Sequence, residues 1–254
     1  MGAVAEGSRL CADGRIIAWA FTGRAGGVSE GPFASLNLAD YVGDDPTAVR
    51  RNRSRAAGFL GLAPDAIAMA NAVHGGNVAV VTQPGEFADV DALVTAQEGV
   101  GLLALAADCV PLAILDDQAG VVGAVHCGWK GLGAGIVAEA VARMRAIGAR
   151  SLQAVIGPHV CASCYPVHPG RVDELRSTAG SLVAEAASTR RASGWHIDVG
   201  AGVRCQLQEL GVPVHEVGGC TVEEPGLFSY RRDGVTGRQA VIVALLPAAT
   251  PGGS

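Results

Sequence analysis

Three residues of types that ligate metals or attack electrophiles stand in distinctive surroundings. They are His74 in Val73-His74-Gly75-Gly76, Cys109 in Ala107-Asp108-Cys109-Val110-Pro111-Leu112, and His126 in Val125-His126-Cys127-Gly128-Trp129-Lys130-Gly131. A thiolate beside an imidazole either shares a metal or forms a nucleophile–base pair. Two imidazoles and one thiolate leaving a fourth position open make a catalytic zinc arrangement. The three lie 35 and 17 residues apart, which matches no local zinc motif, so only the fold can join them. Lys130, the only lysine, sits in a glycine-rich turn before a predicted helix. Backbone amides at such a turn suit an anion, and a lysine there suits phosphate, although no Walker pattern is present.

These residues need elements to carry them. Two apolar runs, 107–115 and 120–126, flank the polar stretch Asp116-Asp117-Gln118-Ala119 and read as a β-hairpin. Pairing Leu115 with Gly120 sets Cys109 directly opposite His126, with Cβ atoms about 5 Å apart. Apolar runs predict strands at 16–21, 66–70, 78–81, 92–95, 100–106, 111–115, 121–126, 153–156, 214–217 and 240–245. Helices are predicted at 46–60, 136–147, 196–210 and 169–188. Many strands succeed one another with no helix between them, which argues against a doubly wound parallel fold. The pattern points to an α+β domain with mixed sheets covered by helices.

Composition excludes several classes. Apolar residues make up 49% of the 254 and charged residues 17%, so the chain is not disordered. The net charge of −5 offers no basic face, and nucleic acid is not an expected partner. The apolar run 100–115 is broken by Asp108 and Pro111 and is too short to span a bilayer. The N-terminus lacks a signal-peptide pattern, so a soluble, cytoplasmic protein with reduced thiols is expected and no membrane partner. Seven cysteines cannot all pair. Cys161-x-x-Cys164 lacks a second cysteine pair and reads as structural. His159, His168, His196 and His215 read as surface or satisfied core residues. With no linker, the expected organisation is a loose start over 1–12, one catalytic domain over 13–246 and a disordered tail over 247–254. Oligomeric state is left open.

The chain also resembles the laccase-domain (polyphenol oxidase-like) family, also called the peptidoglycan editing factor family, whose members are purine nucleoside phosphorylases. The resemblance runs nearly end to end. Besides the segments around His74, Cys109 and His126 it includes Phe21-Thr22-Gly23-Arg24-Ala25-Gly26-Gly27-Val28-Ser29, Ser35-Leu36-Asn37-Leu38, Asp89-Val90-Asp91-Ala92-Leu93-Val94-Thr95, Cys164-Tyr165-Pro166-Val167, Cys220-Thr221, Phe228-Ser229-Tyr230-Arg231-Arg232-Asp233-Gly234 and Thr236-Gly237-Arg238-Gln239. It implies a four-layer α/β/β/α fold and zinc on His74, Cys109 and His126. It also implies phosphorolysis of adenosine, inosine, guanosine and methylthioadenosine, with adenosine deamination as a side activity. Ala72, Cys127 and Lys130 stand where the family usually has Gln, Ala and Arg. Lys130 keeps the charge but loses bidentate geometry.

The leading reading is therefore a zinc-dependent purine nucleoside phosphorylase acting on purine nucleosides and phosphate. Cys109, Asp108 and Lys130 are its catalytic candidates, and Arg24, Asn37, Arg231 and Arg238 its substrate-binding candidates. Three alternatives compete. A copper polyphenol oxidase needs about ten closely spaced histidines, whereas the chain has six and no His-x-His, leaving room only for an adventitious copper. A Cys109–His126 hydrolase would need no metal. An editing role on cell-wall precursors follows from the family name alone. A cytidine-type deaminase is excluded, since no His-x-Glu is present and Val160 precedes Cys161.

Overall fold

The computed structural model describes residues 2–248. Its layering is visible in β15 (Gln239–Leu246), where Val241, Val243 and Leu245 face one core while Ala240, Ile242 and Ala244 face another. A strand buried on both faces must lie inside a layered stack. β15 belongs to a six-stranded sheet with β1 (Ala3–Leu10), β2 (Ile16–Thr22), β7 (Gly101–Ala106), β3 (Ile67–Asn71) and β5 (Gly85–Ala88), in the order β1-β2-β15-β7-β3-β5. A second six-stranded sheet runs β14 (Val214–Glu216), β10 (Gln153–Ile156), β8 (Val110–Asp116), β9 (Val121–Cys127), β6 (Ala92–Thr95), β4 (Val78–Val80). Phe21, Leu102, Val243, Leu93, Ala113 and Val122 fill the space between the two sheets.

Helix α1 (Pro46–Gly58) covers the outer face of the first sheet, with Ala56 packed among Met69, Leu103 and Ile242. The outer face of the second sheet is covered by α2 (Trp129–Gly133), α3 (Ile136–Ala146), α4 (Pro169–Ala179), α5 (Ser181–Ala187) and α6 (Val199–Glu209). A short α7 (Tyr230–Asp233) and a small sheet of β11 (Pro166–Val167), β13 (Gly194–Ile197) and β12 (Ser188–Arg191) complete the chain. The result is a single domain of α/β/β/α layers. No helix among the described residues is long and apolar enough to cross a membrane.

Four expectations need correction. Residues 3–10 are not loose but form β1, paired antiparallel to β2. Its apolar signal is weak because Gly7 supplies no side chain, and the Trp19 ring lies where a Cβ there would stand. The helix expected over 169–188 is two helices, because Gly180 (φ 86°, ψ 162°) breaks it. The helix expected from 196 starts at Val199, since His196 and Ile197 complete β13 and the Asp198 carboxylate caps the Ala201 amide. In the hairpin, Leu115 pairs with Val122 and Pro111 with His126, a register two residues from the expected one. Gly120 takes a left-handed φ of 66° and closes the turn instead of joining β9. Because side chains alternate, a shift of two keeps Cys109 and His126 on one face, now diagonal to each other. The tail expected over 247–254 falls, from 249 onward, outside the described residues.

Candidate metal centre

Strands β3, β5 and β7 run parallel, so their C-terminal ends lie along one edge of the first sheet. From each the chain crosses to the second sheet. The crossing after β3 carries His74, the one after β5 carries Asp91, and the one after β7 carries Asp108 and Cys109. The end of β9, bearing His126, reaches the same edge beside the start of β8. The last crossing, into β15, brings Tyr230, Arg231 and Arg238 there, since Gln239 pairs with the final residue of β7.

The His74, Cys109 and His126 donor atoms all lie within 4.8 Å of one another. The two imidazoles meet edge to face, 4.8 Å between centroids at 90°. Gly128 makes this approach possible, because a Cβ there would stand 3.0 Å from the Cys109 Sγ and 3.0 Å from the His74 Cδ2. His74 (φ 62°) and Asp108 (φ 90°) both hold left-handed backbone conformations without being glycine. Such outliers persist only where surrounding structure over-determines them, commonly at functional sites.

At His74, Asp91 does that over-determining. It is fully buried. Its Oδ1 lies 2.9 Å from the His126 Nδ1 and accepts the His74 amide at 2.8 Å. Its Oδ2 accepts the amides of Gly75 (2.8 Å) and Val73 (3.2 Å). Burial pushes this carboxyl up, but the His126 ring and the amides outweigh it and hold it below the usual range. A carboxylate on Nδ1 fixes the proton there and leaves Nε2 as the free donor, the usual second partner of a metal-bound histidine. Two donor-bearing segments thus hang on one carboxylate, and the donor set fits a metal ion. Sequence reading placed Asp91 in a matched motif without a role; the signal available was an acid directly preceding the apolar run Ala92-Leu93-Val94.

The charges favour cation binding as well. Burial raises the Cys109 thiol, yet His126 and His74 reverse this and bring it to about 6. Burial lowers His126, but the Cys109 thiolate and Asp91 raise it to about 9. Both shifts favour a thiolate–imidazolium pair in the absence of metal, and a metal would replace the imidazole proton.

His74, Cys109 and His126 stand in a cavity of about 670 Å³. Its walls include Tyr41, Trp129, Tyr165 and Tyr230, so all three tyrosines of the chain line one space. That clustering was missed in the sequence, where three tyrosines in 254 residues was the only hint. Arg231 and Arg238 also line it. The Arg231 guanidinium lies 4.5 Å from the Tyr165 ring centroid, and that of Arg238 lies 6.0 Å from Tyr41 and 5.8 Å from Tyr230. Asp108 lines the cavity while its carboxylate accepts from Thr221 Oγ1 (2.6 Å), Ser229 Oγ (2.7 Å) and the Arg231 amide (2.7 Å).

The other predicted residues lie elsewhere. Arg24 donates to the Ala34 carbonyl at 2.6 Å, pairs with Asp233 at 3.5 Å and lies over Phe228, outside the cavity wall. Asn37 is fully buried and accepts from the Ala39 and Arg238 amides, so it shapes the loop behind Arg238. Lys130 is exposed, absent from the wall, and 5.8 Å from the Trp129 centroid on α2. The glycine-rich turn forms a helix of its own, which turns Lys130 outward.

The sequence pattern of a family described as multi-copper polyphenol oxidoreductase laccase matches residues 18–246. The chain belongs to that family. The chain is 46% identical over 234 residues to purine nucleoside phosphorylase ORF3 of Streptomyces griseus, covering 89% of this chain and 94% of the relative. It is 41% identical over 232 residues to purine nucleoside phosphorylase Cgl2154/cg2365 of Corynebacterium glutamicum, covering 89% and 93%. Among solved structures it resembles YfiH of Bacillus licheniformis (TM-score 0.85, 29% identity, 94% of this chain and 98% of that one). It also resembles YlmD of Geobacillus stearothermophilus (TM-score 0.83, 32% identity, 96% and 100%). An enzyme with a metal centre is what the family membership and the donor cluster together support.

Proposed function

We propose that the chain is a zinc-dependent purine nucleoside phosphorylase with His74, Cys109 and His126 as the zinc ligands. The observation that carries the reading is the placement of this three-donor centre within an aromatic-walled cavity that also presents two guanidinium-bearing side chains. The names of the relatives point the same way.

In the reaction a phosphate oxygen bonds to the ribose C1′ while the bond from C1′ to the purine nitrogen breaks, and the departing purine takes a proton. Zinc held by His74, Cys109 and His126 would supply a Lewis acid. Tyr41, Tyr165, Tyr230 and Trp129 offer faces on which a purine stacks and water is excluded. Arg231 and Arg238 are assigned to phosphate, since guanidinium forks match its oxygens. This role replaces the one first given to Lys130. Asp108 is a positioning residue: it holds the Arg231 backbone, Ser229 and Thr221 in place, with three of its roughly four acceptor sites engaged. Asp91 orients the His126 ring. Arg24 and Asn37 act at a distance, by shaping the loops that carry Asp233 and Arg238.

The chain's histidines do not supply a multi-copper cluster. His159 bonds the Gly157 carbonyl, His168 caps α4, and His196 bonds Ala162 and Ser193. One observation favours a second reading. The lowered Cys109 thiol beside His126 is also what a metal-free cysteine hydrolase would use. Incubating metal-quantified protein with inosine separates the readings. Hypoxanthine released only with both phosphate and bound zinc supports the phosphorylase. Release without phosphate, or unchanged after chelation, refutes it. Running adenosine alongside tests the remaining substrates and, through inosine formation, the deamination.

A further inference from the structure

Outside the cavity centre, three of the remaining six cysteines converge. Cys161 and Cys164 flank one short turn, while Cys220 and Glu223 flank another. The sequence shows only the first pair. The fold supplies the missing half as Cys220-x-x-Glu223, so that a C-x2-C knuckle faces a C-x2-E knuckle. The three sulfurs and one Glu223 oxygen all lie within 4.8 Å of one another.

We infer that these four residues form a second, structural metal site of the thiolate-rich zinc class. The geometry is close to that of a filled site. Tetrahedral coordination with metal–sulfur bonds of about 2.3 Å and metal–oxygen bonds of about 2.0 Å sets sulfur–oxygen edges of roughly 3.5 Å. The Glu223 Oε1 lies 3.4 Å from the Cys164 Sγ and 3.8 Å from the Cys161 Sγ. The Cys220 sulfur accepts the Cys161 amide at 3.3 Å, a bond that favours a thiolate over a thiol. No disulfide arrangement uses this set: all seven cysteines are free, a bridge between any two of the three strands the third, and none gives the carboxylate a partner. Four protein donors leave no open position, which is the mark of a structural rather than a catalytic centre.

The site would staple the wall of the cavity. Val160 and Tyr165, on either side of the C-x2-C turn, line that wall. Thr221, next to Cys220, donates to Asp108, and its carbonyl accepts from the Arg232 guanidinium. Two loops distant in sequence, the second tied to the Asp108 crossing, are otherwise joined by a few backbone bonds such as Thr221 N to His159 O. The inference holds whatever reaction the cavity catalyses.

The test is metal stoichiometry by plasma mass spectrometry on full-length protein purified under reducing conditions. A His74→Ala/Cys109→Ala variant, with the cavity centre removed, is expected to keep about one zinc per chain after dialysis against metal-free buffer. Adding Cys164→Ser and Cys220→Ser is expected to remove it. If that quadruple variant does not fold, cobalt(II) in the double variant serves instead. An intense near-ultraviolet thiolate-to-cobalt band, with the visible spectrum of tetrahedral cobalt, supports the site. A metal-free double variant that binds cobalt only as a pale octahedral ion overturns the inference. So does a disulfide found between any two of the three cysteines in protein kept reduced throughout.

Discussion

Asp91 is the point at which the metal centre can be loosened without touching a ligand. Asn has nearly the same shape but one oxygen and one amino group in place of two oxygens. Suppose its oxygen keeps the Oδ1 position, where the His126 ring and the His74 amide bond. The amino group then points donors at the donating amides of Gly75 and Val73. An amide left without an acceptor costs about 1–3 kcal/mol when shut off from water, so losing the acceptor for these two part-buried amides should cost the metal-free protein on the order of 2–6 kcal/mol at most. The His126 ring also loses a charged partner, and such a loss beside a metal ligand typically weakens metal affinity about 10- to 100-fold. The pH dependence has a definite sign. Because the folded carboxyl titrates below its ordinary value, its contribution is full above that value and is lost as pH falls through the lowered one. The stability gap between metal-free wild type and Asp91→Asn should therefore close in acid below about pH 4, and it should also narrow as pH rises from about 6.5 towards 9, where His126, which Asp91 helps to raise to about 9, gives up its proton. Chemical denaturation of metal-free protein across pH, with competitive chelator titration of zinc, measures both quantities. Wild-type zinc affinity in the Asn variant would refute the claim that this carboxylate sets up the centre.

Other outcomes follow from the same geometry. Gly128→Ala places a methyl 3.0 Å from both Cys109 and His74, and its extended backbone (φ −86°, ψ 175°) accepts alanine. The variant should fold and bind zinc more weakly by about 1–3 kcal/mol, the usual range for overpacking, as read by chelator competition. In metal-free protein, iodoacetamide should modify Cys109 along a curve centred near pH 6, rising with pH as the thiolate forms, and zinc should protect it. A midpoint near 9, measured by peptide mass spectrometry, would show that the histidines do not hold the thiolate. Arg231→Ala and Arg238→Ala should each raise the KM for phosphate roughly 10-fold or more, as expected from losing a charge-assisted contact of about 1.5–3 kcal/mol. Lys130→Ala should leave it unchanged, because that side chain points away from the cavity.

The sequence was most legible where burial is most complete. β6 and β10 match expectation residue for residue, because each is an apolar run with a defined start and stop. The elements it hid are short or polar. β5 (Gly85–Ala88) has one partly buried residue, and β12 (Ser188–Arg191) is almost wholly exposed, so neither leaves a periodic trace. Side-chain roles divided on the same physical line. The histidines and Cys109 are chemically distinctive wherever they stand. By contrast an arginine's function depends on where its long side chain ends, and Arg24 and Arg238, both in glycine-containing loops, end in different places.

The spacing that matched no local motif has a topological cause. His74, Asp91, Cys109 and His126 follow one another at intervals of 17, 18 and 17 residues. Each interval is one excursion from the site edge and back. The chain leaves on β4 and returns on β5, leaves on β6 and returns on β7, then leaves on β8 and returns on β9. A strand of three to seven residues, a turn and a second strand fill such an interval at about 3.3 Å per residue. Ligands recurring at this period reach one edge because every second strand end does. The metal centre is thus a consequence of strand length. Lengthening the β8–β9 turn at Gln118 should leave it intact, whereas adding one residue within β9 should turn His126 to the opposite face and abolish metal binding in the cavity.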